Sequence, residues 1–168
     1  MKILHLATYL QGGAGRIIVD LITSQHHDGH NVSLVVSNTG APVAGWANSD
    51  AYLDELARTG IPVQRVDSMF SRDQADNLAV VRALCAQFAP GHEPDIAHTH
   101  AAIPSLVALL FAGARRAPLA IVQSMHGWNA SKTPGQVATD VALMNLVDRV
   151  AVPSRHSADI MVSLGVQR

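Results

Sequence analysis

Six short aliphatic runs alternate with stretches whose apolar residues recur at helical spacing, and this alternation constrains the fold more than any other property of the chain. The runs are "KILHLAT" (2–8), "VSLVVS" (32–37), "PVQRV" (62–66), "DIAHTH" (95–100), "LAIVQSM" (119–125) and "RVAVPS" (149–154). The spacing predicts helices over 14–27, 51–59, 73–88, 103–115, 135–147 and 155–164. In the first of these, Ile17, Ile18, Leu21 and Ile22 form the expected buried stripe. Gly60 and "PGHEP" read as helix stops, Asp73 as a start, and Ser154 and Gly165 as the two ends of the last helix. A loop with Gly40, Pro42 and Gly45 fills 38–50. Strand–helix alternation of this kind gives an α/β domain: a mostly parallel sheet of six to seven strands with helices on both faces.

The 168 residues suffice for one domain, which buries roughly 70% of its unfolded surface. Apolar residues at 48% and charged ones at 15% are the balance of an ordered globular domain. A net charge of −1 without runs of like charge, and only 4% aromatics, argue against nucleic acid and acidic membrane surfaces as partners. The single cysteine, Cys85, excludes a disulfide within the chain and suits a reducing cytoplasm. Leu78, Val81 and Phe88 share its helical face, so a buried structural thiol is expected. The amino-terminal run is broken by His5 and does not read as a signal peptide. "AAIPSLVALLFAGA" (101–114) contains Pro104, is too short to span a bilayer easily, and reads as a buried helix.

Ligands of parallel sheets bind at the carboxyl ends of the strands. Three motifs fall there: "YLQGGAG" after the first run, "HTH" in the fourth and "MHGW" after the fifth. Gly12 and Gly13 let a ligand approach the backbone, and the helix that follows offers unpaired N–H groups to a phosphate, with Arg16 as an added cation. The competing reading is a tight turn alone. A dinucleotide fingerprint fits poorly: Gly13 and Gly15 match its first two glycines, but Ile18 holds the place of the third, and Ser37-Asn38 offers no carboxylate for a ribose. No Gly-Lys-Ser/Thr follows, so the P-loop pattern is absent as well.

His98 and His100, two apart on a strand, can face the same side. They could be metal ligands with a third drawn from Glu93, Asp95 or His126, but the preferred reading makes His98 a hydrogen-bonded core residue and places His100 at the strand tip, within reach of a ligand. His126, followed at once by Gly127, stands on a sharp lip where it can donate to hydroxyls or act near a leaving group; bracing the loop is the alternative. Trp128 is expected to pack under that loop and Lys132 to be solvated. His5 reads as a satisfied core histidine. His26, His27 and His30 suit a helix end, His92 and His156 the surface, and Asp54 and Glu55 an exposed helix face. No paired catalytic carboxylates and no nucleophile elbow occur.

Residues 1–37, "DIAHTH", "VQSMHGW" and "LVDRVAVPSRHSADIM", in this order and at these separations, resemble the amino-terminal domain of GT-B-fold retaining glycosyltransferases of family 4 (glycosyltransferase group 1). The resemblance implies a Rossmann-like, acceptor-side half-enzyme over 1–168, the donor-binding second domain with its paired-glutamate signature being absent from this chain. It implies transfer of a sugar from a nucleotide-sugar donor to an acceptor hydroxyl, with retention, and neither metal nor other cofactor. Carried over by position, Gly12 and Gly13 approach the donor phosphates and the acceptor, and Arg16 matches a basic position where many relatives carry Glu. His126 contacts the donor sugar and is the one residue assigned to catalysis. His100 and Gly127 line the cleft, and Ser154 lies near it and the interdomain linker. The expected partners are the nucleotide sugar, the acceptor and the second domain. Peripheral membrane association of the parent protein and self-association through the uncovered cleft face fit the same picture. The isolated chain is expected to be inactive. A stand-alone nucleotide-binding or regulatory module is the competing function, and a histidine metal site a third.

Overall fold

β-Branched and aliphatic residues cover both faces of the central strands, as a sheet sandwiched between helices requires. In the computed structural model, which describes residues 1–38, 45, 47–67, 69, 71–116, 118–129 and 131–167, strand β1 (Lys2–Ala7) is buried from Ile3 onward, and β2 (Asn31–Ser37) is nearly so. With β3 (Val63–Val66), β4 (Ile96–Thr99), β5 (Ala120–Ser124) and β6 (Arg149–Ala151) they form one six-stranded sheet in the order β3-β2-β1-β4-β5-β6. Every neighbouring pair is parallel. The six helices that alternate with these strands are α1 (Gly12–His27), α2 (Asp50–Arg58), α3 (Gln74–Gln87), α4 (Ala102–Arg115), α5 (Pro134–Leu146) and α6 (Arg155–Ser163).

Period-two alternation divides the core. Leu4 and Leu6 face one way, against Val81 and Leu84 of α3 and Val107 and Phe111 of α4. Ile3 and Ala7 face the other, against Ile18, Val19 and Ile22 of α1 and Leu53 and Leu56 of α2. A third cluster joins Met125, Met144, Met161 and Val166 beneath Trp128. Each fully buried aliphatic side chain contributes about 1.5–3 kcal/mol, so the two large clusters carry most of the stability.

Local signals place the helix ends. The Asp73 carboxylate accepts the N–H groups of Ala75 and Asp76, Thr133 and Gln136 form a reciprocal capping box, and the Ser154 hydroxyl accepts Ser157 N–H. Gly60 and Gly165, at φ +74° and +101°, end α2 and α6 in a conformation that favours glycine. Gly40 and Pro42 of the expected loop lie outside the described residues.

Three expectations are corrected. Helix α1 begins at Gly12, so the glycines expected in a loop are its first turn. Its buried stripe is Gly15, Ile18, Val19 and Ile22; Ile17 is 52% exposed, because the contact of Gly15 with the preceding strand connection rotates Ile17 outward. Leu78 is 50% exposed and does not enclose Cys85, which is half-buried against the core cluster beside Phe88. Among the described residues, no helix is long and apolar enough to cross a membrane.

Candidate functional site

Strand order reverses direction between β1 and β4. The chain leaves β1 to form α1 on one face and leaves β4 to form α4 on the other, which opens a crevice at the carboxyl ends. A cleft of about 1000 Å³ occupies it. Gly12, Gly13, His100, His126 and Gly127 all line this cleft, so three motifs spread over more than a hundred residues of sequence converge there.

The glycine stretch is held from behind. Leu10 N–H donates to Asn48 Oδ1 at 2.8 Å, Asn48 Nδ2 donates to the Ser37 carbonyl at 2.8 Å, and the Tyr52 hydroxyl donates to the Gly12 carbonyl at 3.1 Å. Its glycines have separate reasons. Gly12 adopts φ +56°, which favours glycine. A Cβ on Gly15 would stand 2.8 Å from the Leu10 carbonyl carbon and 2.9 Å from Tyr52 Cε2, so packing excludes a side chain there. A Cβ on Gly13 would meet nothing within 4 Å, and Gly13 faces the cleft.

Helices α1 and α4 both point their amino termini into this space. Neither has a side-chain cap or an acidic residue in its first turn, whereas α3, α5 and α6 are capped by side chains. Their first-turn N–H groups and partial positive charges are therefore directed at the cleft, where an anion would be stabilised.

Arg16 does not reach it. The guanidinium makes a bidentate pair with Glu55 at 2.7 Å through both nitrogens, meets Asp20 at 2.6 Å and lies 5.3 Å over the Tyr52 ring. The hydrogen bonds of Glu55 and Asp20 hold it cationic well above its ordinary range, while Arg16 keeps the Glu55 carboxyl below its own. It ties α1 to α2, and Glu55, expected on an exposed face, is its half-buried partner. Ser154 is also outside the cleft lining, exposed and engaged as the α6 cap.

Register assembles the histidines. His5 and His98 are direct partners across β1 and β4 and, like His100, point to the α1 side. His5 Nε2 lies 2.8 Å from Gln25 Oε1, His5 Nδ1 lies 2.9 Å from His100 Nε2, and His100 Nδ1 lies 3.0 Å from His126 Nε2. His98 stands outside this line: its Nε2 lies 2.8 Å from Ser124 Oγ, and its ring stacks on His100 at 4.6 Å between ring centres. Burial holds all four rings neutral. It pushes His5 down to about 3 and His98 to about 4, with the neighbouring histidines His98 and His126 adding to the respective effects. His100 is lowered well below the ordinary imidazole value by burial and by its three histidine neighbours, and His126 is lowered by burial. His5, His98 and His100 have ring nitrogens within 4.8 Å of one another, close enough for a metal. Both nitrogens of His5 and of His100 already have hydrogen-bond partners, so the lone pairs a metal would need are engaged within the protein. Asp95 stands at the opposite end of β4, where its carboxylate accepts Lys2 N–H.

Sequence reasoning missed the far wall. Asp140 is 2% exposed and pairs with Arg72 at 2.6 Å and Lys132 at 2.7 Å. Lys132, expected in solvent, also lies 3.9 Å over the Trp128 ring, while Trp128 packs on the methionine cluster as expected. All four residues line the cleft. The available signal was a lone aspartate on the apolar side of a helix whose start the Thr133–Gln136 box defines.

The sequence model of Glycosyltransferase Family 4 matches residues 11–168. The chain belongs to glycosyltransferase family 4. This family 4 chain superposes on Anabaena HepE, solved with UDP-glucose, with a TM-score of 0.71 at 20% identity over 99% of its own length and 41% of that chain. The lipopolysaccharide outer core galactosyltransferase WaaB in its apo form gives 0.70 at 15% identity, covering 99% and 43%. Sucrose-phosphate synthase from Thermosynechococcus elongatus gives 0.68 at 12%, covering 99% and 46%. At such identities the likeness establishes the fold, a Rossmann-like half of the GT-B type. The family 4 chain spans less than half the length of these solved relatives. No curated protein matches it in sequence.

Proposed function

We propose that this family 4 chain forms the acceptor-side half of a retaining, nucleotide-sugar-dependent glycosyltransferase, and that the cleft is its substrate site. The observation that carries the reading is the convergence of two uncapped helix amino termini, those of α1 and α4, on the cleft that also holds His126. Negative charge builds on the departing diphosphate during glycosyl transfer, and aligned backbone N–H groups stabilise it without reorganising. Arg72 and Lys132 add two cations against the single carboxylate of Asp140, so the wall opposite α1 favours anions as well. His126 and Gly127 shape the part of the cleft where sugar hydroxyls bind. Arg16 contributes by bracing α1 rather than by touching a ligand. The half-cleft faces a second domain that supplies most donor contacts in the active enzyme, which works in the cytoplasm, and this chain alone turns over no substrate.

Calorimetric titration with UDP, UDP-glucose, NAD and ATP tests the reading. UDP and the sugar nucleotide are expected to bind weakly, to weaken further as salt rises, and to lose affinity when Ala102→Asp places a carboxylate at the α4 terminus. Tighter binding of NAD or ATP than of UDP, or robust sugar transfer by this chain alone, overturns it.

A further inference from the structure

The hydrogen bonds from Gln25 through His5 and His100 to His126 form one unbranched line, and a line of neutral imidazoles has a direction. A neutral ring donates at one nitrogen and accepts at the other. The Gln25 carbonyl oxygen only accepts, so His5 donates to it from Nε2 and its Nδ1 must be an acceptor. His100 then donates from Nε2 to His5 Nδ1, and its own Nδ1 accepts. His126 therefore donates from Nε2 to His100 Nδ1. Its remaining nitrogen, Nδ1, is left as a bare lone pair on a ring that lines the cleft and has no other hydrogen-bond partner among the described residues.

We propose that Gln25, His5 and His100 are positioning residues that lock His126 in its Nε2–H tautomer, so that it meets the cleft as a hydrogen-bond acceptor selective for hydroxyl groups. A ligand hydroxyl can donate to that nitrogen, whereas a phosphate or carboxylate oxygen is repelled by it. The line holds the ring's orientation rather than draining protons. An amide oxygen at its root is not basic, and a proton passed inward would leave a charged imidazole in a fully buried site. Anions and hydroxyls are thereby sorted within one cleft: the helix amino termini take the former and His126 the latter. This assignment of the hydroxyl rests on the functional proposal above; the tautomer does not.

The tautomers are read directly by two-bond ¹H–¹⁵N correlation on the ¹⁵N-histidine-labelled chain at pH 7.5. His5, His100 and His126 are each expected to show a protonated Nε2 and an unprotonated Nδ1. Gln25→Leu, which removes the terminal acceptor, is expected to bring His126 into a mixture of both tautomers with an otherwise unchanged amide spectrum. Gln25→Glu, whose carboxyl is acceptor-only in its ionised form, is expected to retain the single form at a pH where the carboxyl is ionised. A protonated Nδ1 on His126 in the wild-type chain overturns the proposal, as does an unaltered His126 in Gln25→Leu or a mixture in Gln25→Glu with its carboxyl ionised. Titration with glucose separates the two levels. Perturbation of His126 Nδ1 by the sugar and not by sulfate, an anion with no proton to donate, supports hydroxyl selectivity, and the reverse order refutes it. The expected tautomers with no response to UDP or sugar contradict the functional proposal alone.

Discussion

His126 Nε2 stands 3.0 Å from His100 Nδ1, so a ring on the cleft wall is bound to one that is almost wholly buried, at the end of a central strand. The contact joins the chemistry of the site to the stability of the sheet, and pH acts on both.

Acid is expected to unfold the chain through these rings. In the native state His5 stays neutral down to about 3 and His98 to about 4, whereas an unfolded imidazole takes up its proton near 6.5. The unfolded state therefore binds more protons as pH falls. Stability is fully present above pH 6.5 and is lost on the way down toward 4, by up to about 1.4 kcal/mol per group and pH unit. Urea midpoints at pH 7, 5.5 and 4.5 should fall steadily, and His98→Gln should flatten the slope. A midpoint constant across this range contradicts the assignment of neutral rings.

Gly15 and Gly13 are expected to respond oppositely to alanine. At Gly15 the new Cβ meets backbone of Leu10 at 2.8 Å, and the strain should cost about 1–3 kcal/mol. At Gly13 the space is open, and alanine should stabilise the helix by up to about 1 kcal/mol while crowding the cleft. Thermal melts of the two variants check the sign of each.

Arg16→Gln should lower stability only slightly, since its pair with Glu55 is solvent-screened, and should leave UDP affinity unchanged. A tenfold loss of UDP affinity with an intact melt would mean that the side chain leaves Glu55 to meet the ligand.

Asp140→Asn keeps the shape but removes the charge between Arg72 and Lys132. Loss of the buried carboxylate should destabilise the chain by about 1–3 kcal/mol, with the exposure of both cations limiting the cost. Anion affinity should rise because two cations are released toward the cleft. Chemical denaturation and phosphate titration read the two effects separately.

The sheet and its helices were legible because apolar period distinguishes strands from helices over whole segments. Asp73, Gly60, Ser154 and Gly165 act locally and could be assigned from neighbours alone. The convergence of Gly12, His100 and His126 followed from one topological rule. What escaped depends on distance across the fold. Arg16 looked like a free cation because Glu55 lies 39 residues away. Asp140 found Arg72 across 68 residues, and His5 met His100 across 95. Ile17 and Leu78 failed for a subtler reason: helical spacing gives the width of an apolar stripe, but packing sets its phase.

Helix α1 presents its open first turn to the cleft at Gly12 and holds the root of the histidine line at Gln25, about 20 Å further along one rigid rod. In the proposed function, the seat for anions and the seat for hydroxyls are therefore both indexed to a single beam, and inserting residues within α1 would alter the distance between them.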